Sequence, residues 1–159
     1  MRFVVFSAVI VGLLAGCGGP DPEGGARQVA PTTSERSRDF GEYVLHYNAL
    51  TTDMLPAEVA STFNISRSKS RAMLNIVMLR KVEGTLGQAV EGTVVARTSN
   101  LTGQLKNLPL RPVVDGDAIY YIGEIGVTDG EVLIFDIEAK PEGSETPMQV
   151  KFQQQFFTR

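Results

Sequence analysis

From Phe40 onward the chain consists of short runs in which apolar and polar residues alternate, cut by Gly, Asp, Asn and Pro, and no cysteine falls in that stretch. Period-two alternation specifies strands with one buried face and one wetter face. Without cysteine, packing and not cross-linking must hold such strands together. Tyr43, Leu45 and Tyr47 form one alternating set, and Leu133, Phe135, Ile137 and Ala139 form another, predicted to face the core. Further strands are predicted over Ala72 to Lys81, Gly92 to Ser99, Leu101 to Leu108, Ile119 to Val127 and Met148 to Phe157. Asp129-Gly130, a dipeptide suited to a type I′ turn, predicts that Ile119 to Val127 pairs with Val132 to Ala139 as a hairpin. The expected fold is mainly β: an immunoglobulin-like two-sheet β-sandwich of about seven strands. Pro56 to Phe63 breaks the alternation, with Val59, Ala60 and Phe63 at helical spacing, and predicts one short helix on an edge or end of the sandwich. In the last strand Gln154 interrupts the inward series, so a bulge or strand end is expected there.

The 159 residues suit one such domain, residues 40–159, because the N-terminal part has a different composition. Arg2 precedes an apolar run from Phe3 to Leu14, too short for the roughly 20 apolar residues of a membrane span and right for a signal peptide, residues 1–16. Leu14-Ala15-Gly16-Cys17 closely resembles the bacterial lipobox, in which the cysteine takes a diacylglycerol thioether, is cleaved to become the new terminus and is then N-acylated. That resemblance implies an exported lipoprotein facing the periplasm and held in a lipid bilayer through acylated Cys17. Gly18 after the cysteine, where an aspartate would signal inner-membrane retention, implies the outer membrane. Residues 17–39 then read as the lipidated cysteine and a flexible linker, with Val29 as the one sizeable aliphatic. A flexible chain of this length reaches roughly 25 Å.

The formal net charge is -3, and the leader contributes only Arg2, so the remainder is more acidic still. No face-wide basic footprint is available, which excludes nucleic acid as a partner. Arg67, Lys69 and Arg71 alternate with Ser66, Ser68 and Ser70; in an extended chain, three cations would lie on one side and three hydroxyls on the other. This is the candidate site for an anionic envelope component or an envelope protein, although a solvated loop would carry the same charges. Asn75 stands alone in the apolar run Met73 to Leu79; it either satisfies neighbouring backbone groups or joins a ligand pocket near Arg67 and Arg71. His46 is the sole histidine and falls on the outward face of its strand, so no metal, no cofactor and no catalytic residue is assigned.

Leu55-Pro56-Ala57-Glu58-Val59-Ala60, Arg67-Ser68-Lys69 and Leu74-Asn75-Ile76 together resemble an uncharacterised domain-of-unknown-function family of exported bacterial proteins, over Phe40 to Arg159. The resemblance implies a periplasm-facing β-sandwich and carries no activity with it. The expectation is therefore a membrane-anchored, non-enzymatic periplasmic binding or accessory lipoprotein. Its alternative is a carrier or chaperone for an apolar ligand held between the sheets. A hydrolase using His46 ranks below both.

Overall fold

A computed structural model describes residues 36–159; the leader, Cys17 and the linker as far as residue 35 lie outside the described residues. The described chain forms ten strands: β1 (Arg36–Phe40), β2 (Tyr43–Thr51), β3 (Arg71–Arg80), β4 (Gln88–Ala89), β5 (Gly92–Asn100), β6 (Leu105–Lys106), β7 (Arg111–Asp115), β8 (Ala118–Gly126), β9 (Val132–Pro141) and β10 (Met148–Gln155). A 3₁₀ turn (Thr52–Met54) and one helix, α1 (Ala57–Thr62), lie between β2 and β3. The larger sheet runs β1-β2-β3-β8-β7, with β4 added on β3, and the smaller runs β10-β9-β5-β6; all pairings are antiparallel. Two sheets and one short helix are what the alternation predicts. The strand count exceeds the expected seven because β1, β7 and two-residue pairings carry too little pattern to be read.

The sheets face one another through alternate residues. Leu45 of β2, Leu74, Ile76 and Met78 of β3, and Tyr121 of β8 meet Leu133, Phe135 and Ile137 of β9 and Val150 of β10 in one buried cluster. Leu133, Phe135, Ile137 and Ala139 are all 0% exposed, the register the sequence predicts. Phe135 stacks on Phe152, with ring centroids 5.0 Å apart. Burying a side chain of this kind stabilises by about 1.5–3 kcal/mol, so this layer dominates the fold.

Asp129-Gly130 does form a turn, with Gly130 at φ 74, but it does not close a hairpin. β8 pairs with β3 and β7, and β9 with β10 and β5, so the turn carries the chain from one sheet to the other. The main-chain groups that would complete a hairpin bond elsewhere: Gly130 N–H donates to Phe156 C=O and Phe156 N–H donates to Glu131 C=O, each at 2.8 Å. Leu101 to Leu108 is a strand only at Leu105–Lys106. Asn100 Oδ1 accepts from Thr102 N–H, Thr102 Oγ1 and Gln104 N–H, which folds residues 100–104 into a turn with Gly103 at φ 81.

Residues 36–39, expected in the linker, are strand β1, paired with β2 from Arg36↔Tyr47 to Phe40↔Tyr43. An edge strand needs little apolar surface when its neighbour supplies the hydrogen bonds. Arg36 adds a guanidinium 4.9 Å from the Phe152 ring centroid and a bond to Gln154 Oε1. That bond also explains why β10 has no bulge: its register continues evenly to Gln155↔Val132, and Gln154 sits in the inward series with Arg36 as its partner. Helix α1 packs on the outer face of the larger sheet, not at an edge or end: Ala60 and Ile65 contact Met73 of β3 and Ile122 of β8, with Phe63 and Tyr120 beside them. No described helix is long and apolar enough to cross a membrane.

Candidate functional site

The segment from Ser66 to Arg71 is not extended. Thr52, fully buried, reaches into it from the 3₁₀ turn: its Oγ1 donates to Ser66 C=O at 2.8 Å and accepts from Ser68 N–H at 2.9 Å. Arg71 N–H returns to Ser68 C=O, and the Ser68 and Ser70 hydroxyls bond to each other, so the chain turns at Lys69 and Ser70. Two of the three cations are engaged within the molecule. Arg67 Nη2 donates to Asp53 C=O at 2.7 Å, and Arg71 pairs with Glu124 at 3.5 Å. Lys69 has no hydrogen bond or ion pair among the described residues. The alternation of cations and hydroxyls on opposite sides is therefore absent, because local side-chain bonds replace extended backbone.

Asn75 lies on the same outer face of β3 as Arg71, four residues and about 13 Å further along the strand, so the two do not share a site. Its cross-strand partners are Asn48 on β2 and Ile122 on β8. These residues form the floor of a cavity of about 520 Å³ whose opposite wall is α1 and the residues flanking it, among them Leu55, Val59 and Phe63. Glu58, Asp115 and Tyr120 supply further polar atoms to its lining. Phe63 and Tyr120 stand with ring centroids 5.8 Å apart. Asn75 Oδ1 is buried with no hydrogen-bond partner. A buried amide oxygen without a donor costs about 1–3 kcal/mol, so its retention beside a cavity marks that place. Asn48 and Tyr120 were not singled out from sequence, and Glu58 entered only within the Leu55 to Ala60 run that carries the family resemblance. The signal was present only as one more polar residue on the outward series of β2.

A second, larger cavity of about 680 Å³ opens at the flank of the sandwich between the start of β5 and β7, with Val114 and Lys140 on its walls. Its one buried polar side chain, Tyr121, is already satisfied, since its hydroxyl accepts from Gly92 N–H and donates to Gly92 C=O. No orphaned group points to a ligand there. Among the described residues, no three His, Cys, Asp or Glu side chains gather as a metal site.

The model of the family DUF4426, a domain of unknown function, matches residues 37–159. The chain belongs to the DUF4426 family. A crystal structure of a DUF4426 family protein from Pseudomonas aeruginosa is similar with a TM-score of 0.66 and 29% identity, over 79% of this chain and 96% of that one. A copper-bound variant of FetP from uropathogenic Escherichia coli is similar at TM-score 0.55 and 17% identity, over 80% and 97% of the two chains. FetP as isolated after expression in the periplasm is similar at TM-score 0.52 and 19% identity, over 79% and 95%. At those identities the FetP likeness concerns the fold of the DUF4426 domain alone. No curated protein matches.

Proposed function

We propose that this DUF4426 protein is a non-enzymatic binding module of the cell envelope, anchored in a membrane through acylated Cys17, with its ligand seat in the cavity beneath α1. The observation that carries the reading is Asn75: an amide oxygen left unpartnered at the floor of a concave, mostly apolar site of about 520 Å³, a volume typical of small-molecule seats. The lipobox at Leu14 to Cys17 supports the anchor, and the periplasmic expression of the structurally similar FetP agrees with an envelope location. The alternative seat between the sheets is filled by Leu45, Phe135 and Ile137, so a carrier role there has no room in the described core.

Copper, named for FetP, is not carried over to this chain. The single histidine, His46, stands opposite Val77 on the outer face of the larger sheet, and among the described residues no three His, Cys, Asp or Glu side chains gather as a metal site. The hydrolase reading, which would use His46, is set below the binding module. The Arg67, Ser68, Lys69, Arg71 loop is better accounted for as a strut held by Thr52, in which Arg67 bonds a main-chain carbonyl and Arg71 pairs with a carboxylate.

The test is native mass spectrometry of the full-length protein released from envelope membranes, with Val59→Phe to narrow the cavity and a triple charge reversal at Arg67, Lys69 and Arg71 for comparison. A bound small molecule lost in V59F and kept in the triple variant is the expected result. The opposite pattern moves the site to the loop, and no adduct on any of the three retires the cavity. Fatty-acid labelling of wild type that disappears in Cys17→Ser is expected for the anchor; equal labelling of both sinks it.

A further inference from the structure

We infer that the cavity beneath α1 is built for a protonated amine on an apolar stem, and against anions; this rests on the reading of that cavity as the ligand seat. Among the described residues, no Lys, Arg or His side chain lines it. Both charged residues in its lining, Glu58 and Asp115, are acidic and exposed, which places them at the mouth and not on the floor. Arg111, opposite Ile122 on β7, donates to the Phe63 carbonyl and keeps its charge, so one guanidinium stands beside the two carboxylates. An anion entering would therefore meet two carboxylates against one neighbouring guanidinium, whereas a cation would be favoured by the net negative charge of that set.

The deeper lining has a different character. Leu50, Met73 and Ile122 present aliphatic surface, and the Phe63 and Tyr120 rings stand side by side where an ammonium group can lie against a π face. The Asn48 and Asn75 amides, adjacent across β2 and β3, are the side-chain amides of the lining among the described residues. Rotation of the Asn75 amide about its last torsion turns its oxygen toward a ligand N–H, which would relieve the acceptor that has no partner now. The chemistry is thus an apolar body with a cationic, hydrogen-bond-donating head. A free alkylamine and the side chain of a lysine both present it.

The experiment is an NMR titration of the folded protein at neutral pH with four probes: hexylamine, hexanol, hexanoate and Nα-acetyl-lysine amide. The reporters are the side-chain amide signals of Asn48 and Asn75 and the methyl signals of Met73 and Ile122. Hexylamine is expected to move all four and to bind about fivefold to tenfold more tightly than hexanoate, the size of a short-range ion interaction at a solvated rim. Glu58→Gln combined with Asp115→Asn should remove that preference while hexanol binding stays. Acetyl-lysine amide matching hexylamine assigns the site to lysine side chains, and failing to do so assigns it to free amines. Hexanoate binding as well as hexylamine overturns the charge inference and leaves the seat standing. Signals that respond to none of the probes overturn both.

Discussion

The Tyr121 hydroxyl on β8 accepts a hydrogen bond from Gly92 N–H and donates one to Gly92 C=O, each at 2.9 Å, so a single side-chain atom ties the larger sheet to the first residue of β5 in the smaller one. Position 92 has no space for a side chain: a Cβ there would lie 2.1 Å from the Lys140 carbonyl oxygen. Tyr121→Phe orphans both Gly92 groups and should lower stability by about 1–3 kcal/mol in urea unfolding. Gly92→Ala should cost more, since backbone must move. If Y121F is neutral, water replaces the hydroxyl and the tie has no energetic weight.

Burial pushes the Tyr121 phenol above its ordinary value of 10.0, against the opposing effect of the Gly92 bond. A folded-state pKa raised above the unfolded one means that this contribution is complete below pH 10 and is lost as pH rises through the folded value. Unfolding followed between pH 9 and 12 should show a steeper alkaline loss for wild type than for Y121F; parallel curves would exclude Tyr121 as the group responsible.

Glu131 behaves in the opposite sense at the crossover turn. Burial works against its charge and is the largest single influence, but bonds from Lys106 Nζ at 2.6 Å and from Thr128 N–H at 2.9 Å together hold its carboxyl below the ordinary 4.5. Its contribution is therefore present above pH 4.5 and disappears as pH falls through the lower folded value. Glu131→Gln should destabilise at pH 7 and flatten the acid limb of the stability curve. An unchanged acid limb would assign acid sensitivity to other carboxylates.

Thr52→Val keeps shape and removes the hydroxyl that holds Ser66 and Ser68. The expected outcome is faster amide hydrogen exchange confined to residues 66–71 and a loss of about 1–3 kcal/mol. Exchange that rises evenly over both sheets would mean that the loop is part of the cooperative core and not a separate strut.

Asn75→Leu removes an amide whose oxygen is buried without a partner, and should raise stability by about 1 kcal/mol while weakening hexylamine binding. Thermal unfolding and the titration of the same variant measure the two sides of this exchange. A clear loss of stability would show that the amide is satisfied in solution and has a structural task.

Much of the candidate site was hidden for a definable reason. Asn75 stands out in sequence because Met73 to Leu79 is otherwise apolar, but its companions come from β2, α1, the residue ending β7 and β8, and none of these breaks its local pattern. Arg67, Lys69 and Arg71 stand out more strongly, yet Asp53 and Glu124, the groups that engage two of them, are 14 and 53 positions away from Arg67 and Arg71 in the chain. Charge runs are visible in one dimension, whereas the groups that engage them are not.

Alternation by itself determined which face of β2 and of β9 is buried, with Leu45 on one and Leu133, Phe135, Ile137 and Ala139 on the other, because side-chain direction in a strand depends only on parity. Pro56 and the helical spacing of Val59, Ala60 and Phe63 likewise determined that a short helix interrupts the strands. Only the tertiary structure decided which strands pair. The Asp129-Gly130 turn has the same local geometry whether it closes a hairpin or crosses between sheets, and the choice was made by Phe156, whose main chain takes and gives the hydrogen bonds beside that turn. It also decided that α1 lies on the outer face over Asn75, because the cavity between them exists only once Met73 and Ile122, distant in the chain, become neighbouring floor for one helix.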